Sequence, residues 1–355
     1  MSHRPTSRLA LAGCAAVALL ALAGPSPALA AAKSKAKPKP DVSAMSLNLY
    51  LGADIIKLAA APDLATMKEN VKSLHQTVDQ TDFPLRVKAL VKEIAKNKPD
   101  TIAVQEVARY YRSADATPGQ AATTPLYDFM ALLLKQLKAQ KQTYTNVVEQ
   151  TELDITVPSA EGYGLRLKLG NAVLVRSGKG ATVKVTKKLK GNFKDQLKLT
   201  LADGQPVKLT RGYAGVDAKV AGKKFRFLAP HAEAYSPASA KGQFQELLAT
   251  AAKSKTLPTI IAGDFNSDPA DAEPNAYNAV IGAGFTDTGK RVASCCQNET
   301  VDNPISELKT WIDHVVVRPK ATVLSTKVFG NRASDRIGGL WPSDHAGVVA
   351  KVRLK

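Results

Sequence analysis

Cysteine is scarce: three in 355 residues, at Cys14, Cys295 and Cys296. Cys14 falls in an N-terminal leader and the other two are neighbours, so no disulfide framework can staple the chain. The ordinary reading of the pair is two buried thiols, and a vicinal disulfide is the alternative. Histidine is scarce too, with five residues, and no Cys/His group has the spacing of a zinc site. Acids are few beside bases: 31 Asp and Glu against 49 Lys and Arg, a formal net charge of +18. Such an excess favours anionic partners, namely nucleic acid, acidic lipid surfaces or cell-wall phosphates, and carries no information on fold. Aromatic residues make up only 6% of the chain.

The apolar run Leu9–Ala23 is shorter than the about 20 residues a spanning helix needs. Arg4 and Arg8 precede it and "ALA" at 28–30 has the small-residue cleavage pattern, so residues 1–30 read as a secretory signal peptide. "LAGC" at 11–14 resembles a lipoprotein box, but the apolar run continues past Cys14, where such a box closes; a secreted, extracellular protein is expected rather than one anchored at Cys14. Residues 31–41, beginning "AAKSKAKPKP", are rich in Lys, Pro and Ala with no hydrophobic period and read as a disordered leader. Residues 42–355 form the one expected domain, with ample material for a buried core. The 49 bases less Arg4 and Arg8 leave 47 against 31 acids, or +16.

Periodicity predicts a strand in 42–52, amphipathic helices over 64–79 and 84–97, a buried strand at 100–107 and a helix over 126–139. Strands follow near 143–151, 165–176, 181–189, 197–201 and 206–211, then in "KKFRFLAPH" at 223–231, with a helix over "AKGQFQELLATAAKS". The Lys-rich segment 184–201 reads as a hairpin with Gly191-Asn192 at its tip. Late strands are "TIIAGD", "TWIDHVVV" and "HAGVVAKVRL". Frequent hairpins among interspersed helices suit an α/β sandwich of mixed sheets better than a doubly wound parallel sheet.

Polar residues recur where the apolar strands end: Asn48, Glu106, His231, Asp264 with Asn266, Asp313, and Asp344 with His345. Each has a bland reading. Asn48 alone is a turn residue, "GDFN" an Asx turn, Asp344-His345 a cap. Glu106 needs a partner, since an unpaired buried charge is costly; a salt bridge and a metal ion serve equally. Strand alternation places Asp264 and Asn266 on one face. His75, alone in a helix, reads as structural, and His314 alternates away from Asp313.

In their order the motifs, Asn … Gln-Glu … His … Gly-Asp-x-Asn … Asp … Ser-Asp-His, closely resemble the endonuclease/exonuclease/phosphatase (deoxyribonuclease I-like) superfamily over about residues 45–355. "GDFNSDP" and "SDH" carry the resemblance, "GNAVLVR" at 170–176 and "TRG" at 210–212 add to it, and "NLYLGAD" and "SCCQ" look like a secreted actinobacterial branch. It implies a four-layer α/β sandwich, two mixed β-sheets packed face to face with helices outside, and metal-dependent hydrolysis of phosphate esters. It also implies Mg²⁺, with Mn²⁺ or Ca²⁺ as alternatives, held chiefly by Glu106 with Asn48 and Asp344. Asp264 would orient or deprotonate the attacking water, Asn266 hold water or phosphate, and His231 touch a phosphate oxygen. His345 would act in acid/base chemistry, oriented by Asp313. The sequence departs from many relatives in having Ala229-Pro230 before His231, where they carry Asn-Thr.

The expected substrate is an anionic phosphate ester, nucleic acid first, because the lysines of 184–201 suit a phosphate backbone. Sphingomyelinase-like cleavage at an anionic membrane surface, a small phosphomonoester substrate, and a binding module without catalysis are the alternatives. Phe193 is the one aromatic residue near the expected hairpin tip. No obligate protein partner is evident.

Overall fold

Apolar residues on both sides of the central strands set the architecture. In the strand Asp41–Asn48, Val42 and Ala44 enter one apolar cluster while Met45 and Leu47 enter another. Alternation with both faces buried requires a layer on each side of the sheet. The computed structural model describes residues 38–117, 120–319 and 321–355. The expected signal peptide and residues 31–37 of the leader lie outside the described residues.

The chain runs β1 (Asp41–Asn48), α1 (Ile56–Ala59), α2 (Leu64–Gln80), α3 (Phe83–Asn97), β2 (Thr101–Gln105), β3 (Arg109–Arg112), β4 (Thr124–Asp128), α4 (Phe129–Ala139), β5 (Tyr144–Pro158) and β6 (Gly164–Arg176). It continues through β7 (Val183–Asn192), β8 (Leu197–Thr200), β9 (Pro206–Leu209), β10 (Gly212–Val220), β11 (Lys223–His231), α5 (Pro237–Ala249), β12 (Thr259–Asp264), α6 (Ala276–Gly282), β13 (Thr286–Asp287), β14 (Asp313–Arg318), β15 (Thr322–Phe329) and β16 (Gly347–Arg353).

One sheet has the order β15-β16-β1-β2-β6-β3-β4, with β5 also paired to β6; the other has the order β13-β14-β12-β11-β10-β7. Each is antiparallel except for one central pair, β1 with β2 and β11 with β12. Val42, Ala103, Val173, Val216, Phe227 and Ile260 meet in the core between the sheets. Outside the first sheet lie α2, α3 and α4, burying Val71, Leu90 and Leu133; outside the second lie α5 and α6, burying Phe244 and Val280. The result is the four-layer α/β sandwich of two mixed sheets. The helices begin where short polar side chains cap a free amide: Asp63 accepts from Thr66 N at 2.7 Å and Asp128 from Ala131 N at 2.9 Å.

The register of the second sheet matters most for function. Gly212 pairs with both Asn192 and His231, His231 with Asp264, and Asp264 with Asp313. One row therefore crosses five strands, β7-β10-β11-β12-β14, at a single level.

Three expectations need correction. Residues 184–201 are not a hairpin: β7 is an edge strand paired to β10, and β8 pairs with β9 in a separate ribbon. Alternating Lys and apolar residues mark an exposed edge, where lysine discourages further strand pairing, and no local turn was required. Phe193, expected at an exposed tip, is 2% exposed and packs beneath α5. The segment 126–128 is strand rather than helix, because Asp128 caps α4 from outside. The strand β10 escaped notice because Gly212 and Gly215 weaken its pattern. Both are needed for close approach: a Cβ at Gly212 would strike the Gly191 carbonyl and one at Gly215 the Leu228 side chain.

Candidate active site

A parallel pair brings the C-terminal ends of two neighbouring strands to the same edge. β1 and β2 thereby deliver Asn48 and Glu106, and β11 and β12 deliver His231 and Asp264. The stacked sheets bring the two edges together: Asn48 Nδ2 donates to Glu106 Oε1 at 3.0 Å and to Asp264 Oδ2, across the sandwich, at 3.2 Å.

The backbone bends sharply where these side chains are presented. Tyr50, Glu106 and Asn266 take left-handed φ values of 58°, 55° and 46°. Such conformations are strained for non-glycine residues and concentrate at functional sites. The turn at Glu106 ends β2 and lets Glu106 Oε2 accept the Leu51 amide at 2.7 Å. Asn266 lies beyond the end of β12, so strand alternation does not place it beside Asp264. An Asx turn does: Asn266 N donates to Asp264 Oδ1 at 2.9 Å, while the Asn266 amide donates to Ala232 O at 3.0 Å. The bland reading of "GDFN" thus describes its backbone, and the turn frees Asp264 Oδ2 to face the site.

Asp264 Oδ2 is the meeting point. His231 Nε2 and His345 Nε2 each lie 3.7 Å from it. His345 Nδ1 is held at 2.8 Å by Asp313 Oδ2, and Asp313 N donates to Ser294 Oγ at 3.1 Å. Asp313 Oδ1 has no hydrogen-bond partner among the described residues. Asp344, one residue before His345, is placed by Gln297 N donating to its carbonyl at 2.9 Å. All eight residues singled out in the sequence therefore stand at one end of the sandwich. His314, on the opposite face of β14, meets Asp287 at 2.9 Å among Phe265, Tyr277 and Trp311, and His75 meets Tyr163.

The sequence reading missed four buried polar residues behind His231. Glu152, in the middle of β5, has Oε2 3.2 Å from His231 Nδ1 and accepts from Arg211 Nη1 at 3.2 Å. Arg211 Nη1 lies 3.0 Å from His231 Nδ1, and Arg211 Nε lies 3.7 Å from Glu233 Oε2. Asn171 donates to Glu152 Oε1 at 2.9 Å. Asn171 and Arg211 lie in "GNAVLVR" and "TRG", stretches noted for resemblance alone; Glu152 and Glu233 lie in no motif, and Glu152 sits among polar residues in "EQTELD". On the other flank Arg86, fully buried, donates to the carbonyls of Thr81, Leu49, Tyr50 and Pro342 at 2.6, 3.0, 3.2 and 2.9 Å. It ties the segment after Asn48 to the one before Asp344.

Charge follows geometry. Burial works against ionised Asp264, but His345 and His231 outweigh it and hold its pKa below the ordinary value. Burial alone would depress the His345 pKa; Asp313, Asp344 and Asp264 reverse this and hold it well above the usual imidazole value. Asp344 is pushed up to about 7 by burial, with Glu106 and Asp264 adding repulsion against the attraction of His345. Among the described residues Glu106 and Asp344 form no ion pair.

Half-buried Glu106 and Asp344 and buried Asn48 supply oxygen donors, the two carboxylates without an ion-pair partner among the described residues, and such a set matches a hard divalent metal. Among the described residues, two other groups of ligand-type atoms lie within 4.8 Å of one another: Asp264, Asp313 and His345, and Cys295, Cys296 and His345.

The Endonuclease/Exonuclease/phosphatase family profile matches residues 45–345, and the chain belongs to that family. Its hydrolases act on phosphate esters. Among solved structures, a mannosyl-6-phosphatase of Bacteroides thetaiotaomicron is 18% identical with a TM-score of 0.53, over 88% of this chain and 100% of that one. TDP2 of D. rerio, complexed with a single-strand DNA product, is 15% identical with a TM-score of 0.53, over 88% of this chain and 99% of that one. An endonuclease/exonuclease/phosphatase from Beutenbergia cavernae is 20% identical with a TM-score of 0.53, over 89% of this chain and 72% of that one. At these identities the likeness is one of fold. No curated protein matches.

The Asp313–His345 contact has a measurable consequence. Folding raises the His345 pKa, so its charged form contributes stability that is complete below about pH 6.5 and lost as pH rises through the folded value. Asp313→Asn removes the nearest of the three raising charges. The His345 imidazole should then titrate at lower pH by NMR, and the stability gained at low pH should shrink in urea unfolding measured at several pH values. An unmoved titration would show that Asp313 does not set the charge of His345.

Proposed function

We propose that this chain is a secreted, divalent-metal-dependent phosphodiesterase whose substrate is a nucleic acid. The observation that supports it best is the convergence of two imidazoles on one carboxylate, with His231 Nε2 and His345 Nε2 each 3.7 Å from Asp264 Oδ2. Hydrolysis of a phosphate ester requires a positioned water, neutralised phosphate charge and a proton for the leaving oxygen. Asp264, kept ionised, is suited to orient or deprotonate the water. His231, backed by Glu152 and Arg211, faces the phosphate. His345, kept protonated by Asp313, is suited to give the leaving group its proton. Asn266 fixes the loop after Asp264.

Glu106, Asn48 and Asp344 would hold the metal, Mg²⁺ by the chemistry of their oxygen donors, with Mn²⁺ or Ca²⁺ as substitutes. When bound, such an ion neutralises charge on the phosphoryl oxygens. Secretion rests on the leader, with Arg4, Arg8 and the apolar run before "ALA".

The choice of a polymer rests on the row that crosses the second sheet. Asn192 on the edge strand lies two strands from His231, a separation of about 10 Å. Lys187, Lys188, Lys190 and Lys194 are exposed along and just beyond that strand. A chain with a phosphate at His231 can set neighbouring phosphates against these lysines; a small monoester cannot. Phe193, the aromatic that membrane insertion would have used, is buried.

Asp264→Asn should lower turnover by about a hundredfold or more while the chain stays folded by circular dichroism, because charge and basicity change without volume. Retention of a tenth of the rate or more removes Asp264 from the water. Glu106→Gln should raise the Mg²⁺ concentration needed for half-maximal rate, and an unchanged titration would exclude Glu106 as a ligand.

The substrate is tested by assaying duplex DNA, single-stranded DNA, RNA, sphingomyelin vesicles, sugar phosphates and a bis-nitrophenyl phosphodiester. Changing Lys187, Lys188, Lys190 and Lys194 to Gln should weaken polynucleotide cleavage and lower the salt slope of binding by about one unit per lost phosphate contact. The small diester should be hydrolysed as before. Equal loss on both substrates, or loss on neither, would end the case for a polymer running along β7.

A further inference from the structure

Cys295 and Cys296 are joined as a vicinal disulfide and take part in none of the chemistry above. Yet their sulfurs lie 3.5 and 3.9 Å from His345 Nε2, the nitrogen that faces Asp264. Main-chain bonds fix the pair there. Cys295 N donates to Thr310 O at 3.0 Å, Thr310 N returns to Cys295 O at 3.0 Å, and Ala346 N donates to Ser294 O at 2.8 Å. Cys295 is buried against the imidazole and Cys296 is exposed. The other nitrogen of His345 is engaged by Asp313 at 2.8 Å, the arrangement in which a carboxylate orients an imidazole for metal ligation.

The ligand atoms of Cys295, Cys296 and His345 all lie within 4.8 Å of one another. Two sulfurs and one imidazole nitrogen are a different donor set from the oxygens of Glu106, Asn48 and Asp344. Thiolate and imidazole select d¹⁰ cations such as Zn²⁺ and Cd²⁺ over Mg²⁺.

We propose that the reduced pair, together with His345 Nε2, forms a second metal site for a thiophilic d¹⁰ cation, and that filling this site withdraws His345 from turnover. The disulfide closes the site, since a bonded sulfur has no thiolate to offer. A phosphine or dithiol reductant supplies two electrons, the S–S bond breaks, and each sulfur takes up one proton. Cation binding then releases the two thiol protons and the Nε2 proton of the His345 imidazolium. Exposed Cys296 is the sulfur within reach of the reductant. The loss of turnover rests on the catalytic reading of His345 given above; the binding does not.

The test is a Cd²⁺ titration of the protein in excess Mg²⁺, before and after reduction with a phosphine, followed by the ultraviolet cadmium–thiolate band and by turnover of the small diester. The reduced protein should take one Cd²⁺ per chain, show the band and lose activity in step; the oxidised protein should do none of these. Cys295→Ser/Cys296→Ser should lose both band and inhibition and keep Mg²⁺-dependent turnover. Asp313→Asn should weaken Cd²⁺ binding by about tenfold, and His345→Gln should weaken it as well. Reduced wild type that behaves as the double serine variant overturns the proposal. A band with undiminished turnover supports the metal site and places the failure in the acid/base reading of His345.

Discussion

An ionised carboxylate at 1% exposure, Asp264, sets the terms for everything around it. A buried charge cannot stand without partners, and those of Asp264 come from the rest of the molecule: Asn48 from the other sheet, His231 from the neighbouring strand, His345 from the last loop and the Asn266 amide from its own turn. Each partner lies far from Asp264 in sequence except Asn266. Moving any one of the strands β1, β11 or β12 by a single register step would turn its terminal side chain to the other face and leave the charge unpaired.

The sandwich meets this demand by the same device twice. Each sheet is antiparallel except for one central parallel pair, and each such pair brings two C-terminal strand ends to one edge. Antiparallel neighbours would have put those ends at opposite edges. The apolar clusters on both faces of β1 and β12 hold the strands at fixed level, so packing far from the site determines distances within it.

Electrostatics divides the site into two parts. Around His231 and His345, acids and imidazoles balance: Glu152 and Asp264 on one side, Asp313 on the other. Around Glu106 and Asp344 they do not, and Asp344 is pushed up to about 7. Besides His345, Arg86 acts on that side, and it spends its hydrogen bonds on four backbone carbonyls rather than on a carboxylate. The first part is built to hold protons in place, the second to receive positive charge.

The sequence by itself determined the layers and the strand ends. Apolar runs such as "TIIAGD" and "DTIAVQE" are buried on both faces, which demands a sandwich, and each closes on an acidic residue. Asn48, Glu106, His231, Asp264, Asp313 and Asp344-His345 stood out as polar residues at strand ends, and the resemblance of their order to a known family is what gave them roles. Tertiary structure decided what periodicity cannot encode. Asn266 joined Asp264 through an Asx turn rather than by strand alternation. β7 found β10, a glycine-interrupted strand, instead of folding on itself. Glu152 and Arg211 reached His231 although 79 and 20 residues from it, and Cys295 reached His345 from 50 residues away. Local sequence specifies backbone preference and which face is apolar; it carries no information on which distant charge will neutralise a buried one, because only the closed sandwich removes the water that would otherwise have done so.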